Sequence, residues 1–362
     1  MLRVLELFAG IGACSKALER LGIEHEIVDA VEIDKFAIAS FNAIHGTNFE
    51  PQDIKEWNKD IQVDLIMHGS PCQDFSLAGK QAGGDKGSGT RSSLMYETIR
   101  IVEKLKPQYA IWENVKNLLS KKHRHNFDTY IESMKILGYV SSYQVLNAKD
   151  YGIPQNRERV FIVSFREDIW DRNYNNFHVF DFPKPFPLER KLKDILEDNV
   201  DDKYYLSDKQ LAGIKRDSDN QKAKGYGFQF KPRTLDDYAT CISTRAGQRK
   251  TDNFIAIKTA NKQGYDLATD GDGVDLAYPT SKTRRGRVGH NVAKTIQTSD
   301  SQGVLDNLRI RKLTPKECWR LMGFDDVDFE KASKVCSNAQ LYKQAGNSIV
   351  VNVLEAIFKE LL

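Results

Sequence analysis

The sequence predicts an α/β protein, a Rossmann-like sheet with helices on both faces plus a smaller, mainly β domain. Three observations carry this. The chain opens with an apolar run, a glycine turn and a helix, the start of a nucleotide-binding α/β unit. Apolar strand-like runs then alternate with amphipathic helices. From about Trp170 the pattern shifts to short β-type runs separated by Gly, Asp and Asn. A chain of 362 residues suggests about two domains and can bury a sizeable core.

Composition narrows the classes. Against 50 acidic residues stand 53 basic ones, a net charge of +3, so any nucleic-acid surface must be local. The five cysteines, Cys14, Cys72, Cys241, Cys318 and Cys336, are odd in number, and no pair has metal-ligand spacing. That argues against a disulfide framework and a zinc site, and no metal is expected. Met1 to Leu7 carries no signal core and no run is long enough to span a membrane. A reducing, cytoplasmic setting without membrane contact is the expectation.

In chain order, Arg3–Leu7 reads as a strand, Phe8-Ala9-Gly10-Ile11-Gly12 as a sharp turn, and Ala13–Leu21 as a helix stopped by Gly22. Ala13 or Cys14 fills the third glycine position, so the turn is either part of a nucleotide fingerprint or a bare tight turn. The strand Ile27–Val31 ends in Glu32-Ile33-Asp34. Asp34 suits the cap of a helix over Lys35–Ile44, which leaves Glu32 to accept from two ribose hydroxyls. No phosphate-gripping lysine follows the turn, so a nucleoside such as S-adenosylmethionine fits better than a triphosphate. Asp53-Ile54, past Pro51, is either a contact to an adenine amino group or a solvated loop.

Val63–Met67 reads as a buried strand leading into Gly69-Ser70-Pro71-Cys72-Gln73-Asp74-Phe75-Ser76. Cys72, stiffened by Pro71, is either a small buried filler or a nucleophile, since a thiol titrating near ~8.5 is a few per cent thiolate at neutral pH. The glycine-rich stretch from Ala78 through Arg91 is either a surface loop or a lid over Cys72. Leu94–Leu105 is an amphipathic helix ended by Pro107, and the strand Tyr109–Trp112 delivers Glu113-Asn114-Val115 to a ligand-binding sheet edge. Glu113, shielded by Trp112, suits an acid with a raised pKa or a salt-bridge partner. Lys121 to His125 is a basic surface run, solvated or touching phosphate. Tyr139–Leu146 and Val160–Phe165 complete the strands. Between them, in Gln155-Asn156-Arg157-Glu158-Arg159, alternation points Arg157 and Arg159 the same way, a pairing suited to clamping an anion or a carbonyl oxygen.

Phe-Ala-Gly-x-Gly, an acidic end to strand two, Pro-Cys-Gln, Glu-Asn-Val, Gln-x-Arg-x-Arg and a late Gln-Ala-Gly-Asn-Ser occur in fixed order. With this set the chain resembles the DNA (cytosine-5) methyltransferases of bacterial and phage restriction–modification type. The likeness covers about the first 165 and the last 50 residues, one catalytic core split by an insertion. It implies an S-adenosylmethionine-dependent methyltransferase sheet over 1–185 and 340–362, with a target-recognition domain over 186–339 that includes a helix at 311–324. It implies transfer of a methyl group to carbon-5 of a flipped-out cytosine in a short duplex DNA site, with RNA as the alternative substrate. Cys72 would attack carbon-6, Glu113 would serve nitrogen-3, Arg159 would hold the ring oxygen and Arg157 would brace the site. Phe8, Gly10, Gly12, Glu32, Ile33, Asp53, Ile54, Pro71, Asn347 and Ser348 would bind the cofactor. Gln73, Ser76, Lys80 and Arg91 on the lid would meet DNA. A separate cognate restriction endonuclease and a monomeric state complete the implied picture.

In the second half, Asp181 to Pro187 is a proline-broken connector and Leu188–Leu196 a short helix. Ala239-Thr240-Cys241-Ile242-Ser243-Thr244 and Ala293-Lys294-Thr295-Ile296-Gln297-Thr298 share Ala-x-x-Ile-x-Thr and suit equivalent strands. Within the insertion, Arg245, Gln248 and Arg249, and then Arg284, Arg285 and Arg287, are candidates for DNA contact. Thr314 at N-cap, Pro315 at N1, Glu317 at N3 and Gly323 as stop mark a capped helix. A last helix, Ile349–Leu361, has an apolar face at helical spacing and should return Asn347-Ser348 beside the glycine turn.

Overall fold

A computed structural model describes residues 1–71, 91–169, 180–204, 216, 238–242 and 313–362, together with five short strands between 257 and 304. The centre is a sheet of six strands: β1 (Leu2–Leu7), β2 (His25–Val31), β3 (Leu65–His68), β4 (Tyr109–Val115), β5 (Tyr139–Asn147) and β7 (Glu158–Arg166), with β6 (Gln155–Asn156) just before β7. Their order is β2-β1-β3-β4-β7-β5. The first four run parallel. β7 is antiparallel to both β4 and β5.

Alternation along the strands feeds two cores. Val4, Leu65, Met67 and Ile111 face α1 (Ala13–Arg20) and the last helix, α8 (Val351–Leu361). Leu5, Leu7, Ile66 and Trp112 face α3 (Met95–Leu105) and α4 (Arg124–Ile136). α2 (Lys35–His45) starts as read from the sequence: Asp34 accepts from Phe36 N at 2.9 Å.

The capped helix is α5 (Pro315–Arg320), and both halves of its capping box are made. Glu317 N donates to Thr314 Oγ1 at 3.2 Å and Thr314 N to Glu317 Oε2 at 2.8 Å. α6 (Asp326–Ser333) follows, and it packs on the first-half layers rather than apart from them. Lys16 Nζ of α1 pairs with Asp328 Oδ1 at 3.0 Å, and Lys331 Nζ donates to Ile44 O at 3.0 Å. Between 238 and 304 every described regular segment is a strand: β8 (Ala239–Thr240), the antiparallel pair β9 (Ile257–Lys258) and β10 (Tyr265–Asp266), and β11 (Gly273–Asp275) between β12 (Val288–Gly289) and β13 (Gln302–Val304).

Three boundaries differ from expectation. Leu188–Leu196 is not an α-helix; only a 3₁₀ turn, Leu192–Ile195, forms there. Glu113 lies inside β4, not beyond it. The last helix begins at Val351 rather than Ile349: a separate helix, α7 (Asn338–Asn347), ends at Ser348, which is extended at φ −69° and ψ 157°. The carbonyls of Gly346 and Ser348 are drawn off by Arg157 instead of continuing a helical ladder.

The glycine turn is wound through left-handed backbone at Phe8 (φ 55°), Gly10 (φ 58°) and Gly12 (φ 80°). A Cβ on Gly12 would stand 2.1 Å from His45 Nε2, whereas on Gly10 it would meet only Phe8 O at 4.0 Å. Gly10→Ala should therefore cost only the backbone term, about 1–2 kcal/mol. Gly12→Ala adds an overpacking term of about 1–3 kcal/mol. Urea titrations of the two variants should rank Gly12→Ala as clearly the less stable.

Candidate active site

A cleft of about 400 Å³, counting its open mouth, lies at the C-terminal edge of the parallel strands. This is the edge at which open α/β sheets bind ligands. Glu6, Phe8, Gly10, Glu113, Asn347 and Ser348 are among its walls. The expected cofactor turn, the expected acid and the expected C-terminal loop thus meet in one place, from chain segments as far apart as Glu6 and Ser348.

Around the turn, Glu32 Oε2 accepts from Gly10 N at 3.0 Å and its Oε1 from Asp34 N at 2.8 Å. Burial raises the Glu32 carboxyl above its usual range, with the two amides opposing. Ile33 beside it is 69% exposed, an uncovered apolar surface. Gln52 N donates to Glu32 O at 2.9 Å and brings the Asp53 loop alongside. Asp53 Oδ1 accepts from Lys55 N at 3.0 Å. The Ile54 side chain is corrected from cleft to core: it is buried with Leu5 and Trp57.

Glu6 was missed by the sequence reading, although an acid in an otherwise apolar strand is a signal. It is 3% exposed, and Oε1 accepts from Ser15 N at 3.0 Å and from the Ser15 hydroxyl. Burial pushes its carboxyl up to about 7, against the pull of these donors. The same burial, with Glu6 nearby, raises the Cys14 thiol.

This donor set fits S-adenosylmethionine. Among the described residues the cleft walls carry two acidic side chains, Glu6 and Glu113, and neither a lysine nor an arginine. Such a wall favours a cation over a phosphate. Glu32 presents acceptor oxygens of the kind a ribose diol needs, and Ile33 an apolar face of the kind a purine covers.

The loop leading to Cys72 is anchored from β4. Trp112 Nε1 donates to Ser70 Oγ at 3.0 Å and Asn114 Nδ2 to Ser70 O at 3.2 Å. Behind Trp112 stacks His68, with 5.7 Å between ring centroids, and its imidazole is pushed down to about 3 by burial. The backbone of Gly69 runs against Glu113: a Cβ there would lie 3.6 Å from Oε2. Across the cleft mouth Arg159 Nε pairs with Glu113 Oε1 at 3.0 Å, an ionic contact off the hydrogen-bond line.

Arg157 takes a different path. It is 4% exposed; Nη1 donates to Ile242 O at 3.1 Å and Cys241 Sγ at 3.3 Å, and Nη2 to Ser348 O at 2.8 Å and Gly346 O at 3.2 Å. The two arginines do share a side, since Arg159 Nη2 also reaches Cys241 Sγ at 3.8 Å. Arg157 is not among the cleft walls, however. Burial, then Arg159, lowers the Arg157 pKa. Gln155, which opens the Gln-x-Arg-x-Arg motif but was given no role of its own, is fully buried. Its Oε1 accepts from Ile242 N at 2.9 Å and its Nε2 donates to Leu321 O at 2.7 Å.

Cys72, Gln73, Ser76, Lys80, Arg245, Gln248, Arg249, Arg284, Arg285 and Arg287 lie outside the described residues, as does the second Ala-x-x-Ile-x-Thr copy. Arg91 opens a 3₁₀ turn, Arg91–Leu94, with its side chain outside them. Pro71 is half-buried next to Ser70. Among the described residues no helix is long and apolar enough to cross a membrane, and no cluster of His, Cys, Asp and Glu is arranged to hold a metal.

Residues 2–362 match the C-5 cytosine-specific DNA methylase family. The chain belongs to this family. It is similar to the orphan methyltransferase M.SPRI of Bacillus phage SPR, 33% identical over all of this chain and 97% of that protein. It is equally similar to the type II methyltransferase M.Bsp6I of Bacillus sp. (strain RFL6), 33% identical over the full length of both. In fold it resembles a Spodoptera frugiperda DNMT2 mutant, with TM-score 0.67 at 22% identity over 100% of this chain and 99% of that one. The protein is a DNA cytosine-5 methyltransferase of restriction–modification type, and the RNA alternative finds no support in the family match.

Two predictions concern titrating groups of this methylase. Between the ordinary glutamate value of 4.5 and about 7, folded Glu6 keeps a proton that the unfolded chain has released, so its contribution to stability falls as pH rises through that window. Glu6→Gln keeps an acceptor for Ser15 and cannot ionise. Thermal melts should show the variant gaining on the parent between pH 5 and pH 8. Protein packed against the Cys241 sulfur raises its thiol, but the Arg157 and Arg159 guanidiniums outweigh this and lower it. Its residue is exposed, while Cys14 and Cys318 are buried. Iodoacetamide followed by peptide mass spectrometry should find Cys241 alkylated well before those two.

Proposed function

We propose that this methylase transfers the methyl group of S-adenosylmethionine to carbon-5 of a cytosine rotated out of a specific short duplex, through a bond between Cys72 and carbon-6. The observation that carries the reading is the Glu113–Arg159 pair, 3.0 Å apart, beside Gly69 at the mouth of the cleft. Three residues on from Gly69 is Cys72, a reach of at most about 11 Å. Thiolate, acid and arginine would therefore converge on one flipped ring.

The residues divide the work by chemistry. The Cys72 thiolate adds to carbon-6, and the ring electrons shift toward nitrogen-3 and carbon-5. Glu113 supplies the proton at nitrogen-3, and Arg159, already holding Glu113, turns a guanidinium N–H to the ring oxygen. S-adenosylmethionine supplies an electrophilic methyl group on a sulfonium. Once carbon-5 carries the methyl, loss of its proton to water, departure of the thiolate and return of the nitrogen-3 proton to Glu113 restore the neutral aromatic ring. Glu32 holds the ribose, Ile33 covers the purine, and Phe8, Gly10, Gly12, Asn347 and Ser348 enclose the methionine end, with Asp53, the Ile54 backbone and Pro71 at its rim. Lifting the base from the stack costs a few kcal/mol, which closure of the 72–91 segment with Gln73, Ser76, Lys80 and Arg91 offsets.

The catalytic and cofactor-binding domain is taken as 1–185 and 340–362, and α5 and α6 pack into its first core. The target-recognition domain, taken as 186–339, supplies Arg245, Gln248, Arg249, Arg284, Arg285 and Arg287 as its DNA contacts. The enzyme works as a monomer in the cytoplasm, with any cognate endonuclease acting separately.

Duplex DNA incubated with methyl-labelled cofactor should carry the label at carbon-5 of cytosine, within one sequence revealed by bisulfite mapping. Cys72→Ser should bind S-adenosylhomocysteine normally and transfer nothing. Glu113→Gln should lower kcat by about 100-fold or more. Label on another atom, or an active Cys72→Ser, would end the proposal.

A further inference from the structure

Four hydrogen bonds of Arg157 divide between two pieces of chain. One terminal nitrogen serves Cys241 and Ile242, within the inserted half; the other serves Gly346 and Ser348. Ser348 is itself a wall of the cleft. A guanidinium is planar and rigid, so its two ends cannot move independently. The Ile242 end has little freedom of its own. Its amide is held by Gln155 at 2.9 Å, its side chain is 3% exposed, and β8 just before it pairs in parallel with β6. The Ser348 end is the break between α7 and α8, where the chain has left helical geometry.

We infer that Arg157 is a positioning residue that couples occupancy of the cofactor cleft to the seating of the inserted half at Cys241–Ile242. The inference rests on the cofactor reading above. A ligand that fixes Asn347 and Ser348 fixes the carbonyls on one side of the guanidinium, which steadies the carbonyl and sulfur on its other side. By linkage the effect is reciprocal: an insertion seated by DNA presents a better-ordered cofactor wall. Arg157 touches neither the reacting ring nor the cleft in this scheme. It acts through backbone groups, unlike Arg159, which acts through Glu113.

Hydrogen–deuterium exchange on the full chain, with and without S-adenosylhomocysteine, tests it. In the parent protein the nucleoside should slow exchange in the peptide over 6–14. It should also slow exchange in the peptide over 239–242, by about fivefold or more. In Arg157→Met, and in Arg157→Lys, which offers a single ammonium to the two sides, protection over 6–14 should persist and that over 239–242 should vanish. Protection at 239–242 that survives in either variant overturns the inference. So does a parent protein protected over 6–14 alone, a result that needs no variant to fold. If the parent is protected at neither peptide, the cofactor reading fails first and the inference falls with it.

Discussion

A buried guanidinium holds this molecule's functional parts in register. Arg157 is removed from water, and its hydrogen bonds run to three carbonyls and a sulfur rather than to a carboxylate. Burying such a charge costs several kcal/mol unless its donors are satisfied. The carbonyls of Ile242, Gly346 and Ser348 satisfy its two terminal nitrogens, while Nε stays buried without a hydrogen-bond partner among the described residues, and those carbonyls would lose this partner if the arginine were removed. The helix break at Ser348 and the docking of β8 on β6 both follow from where those carbonyls must point. The C-terminal wall of the cleft is therefore set by a side chain from the middle of the sequence.

The reacting groups are organised from neighbouring strands in the same way. β3 and β4 run parallel with His68 opposite Trp112, so the Ser70 loop and Glu113 leave the sheet side by side. Trp112 serves both: its indole N–H fixes Ser70, and its ring closes the core against His68 and Tyr130. On the far side of the cleft the left-handed Phe8 is a strained residue, of a kind that persists where surrounding packing over-determines the backbone. The carboxylates of Glu6 and Glu32, each tied to backbone N–H groups, give this side an acceptor-rich character suited to a cationic nucleoside.

The helices at the end of the insertion explain how two distant pieces of sequence make one body. Arg20 Nη1 donates to Gly323 O at 2.7 Å, and Lys16 reaches Asp328. A side chain on Gly323 would strike Asn352, so the turn after α5 sits flush against α8. Arg320 in turn holds the carbonyls of Ile195 and Leu196, closing the connector onto the same body.

Local chemistry alone determined a good part of this protein. Asp34 and Thr314 cap their helices because a short acceptor before an apolar run has few other uses, and the strand–turn–helix opening follows from glycines that tolerate positive φ. The ordered motifs reached the family because each residue type answers one chemical need. The motif resemblance separated Arg159 from Arg157 as its brace, but side-chain alternation puts both on one side and names no partner for either. The contacts themselves, Glu113 for Arg159 and the carbonyls of Ile242 and Ser348 for Arg157, are brought from elsewhere in the chain. Nor did the sequence show α7 (Asn338–Asn347) or why that helix stops at Ser348, because the hydrogen-bond donor that takes the Gly346 and Ser348 carbonyls lies about 190 residues away. Periodicity records which face of an element is apolar, whereas partners for buried polar groups are chosen by the fold.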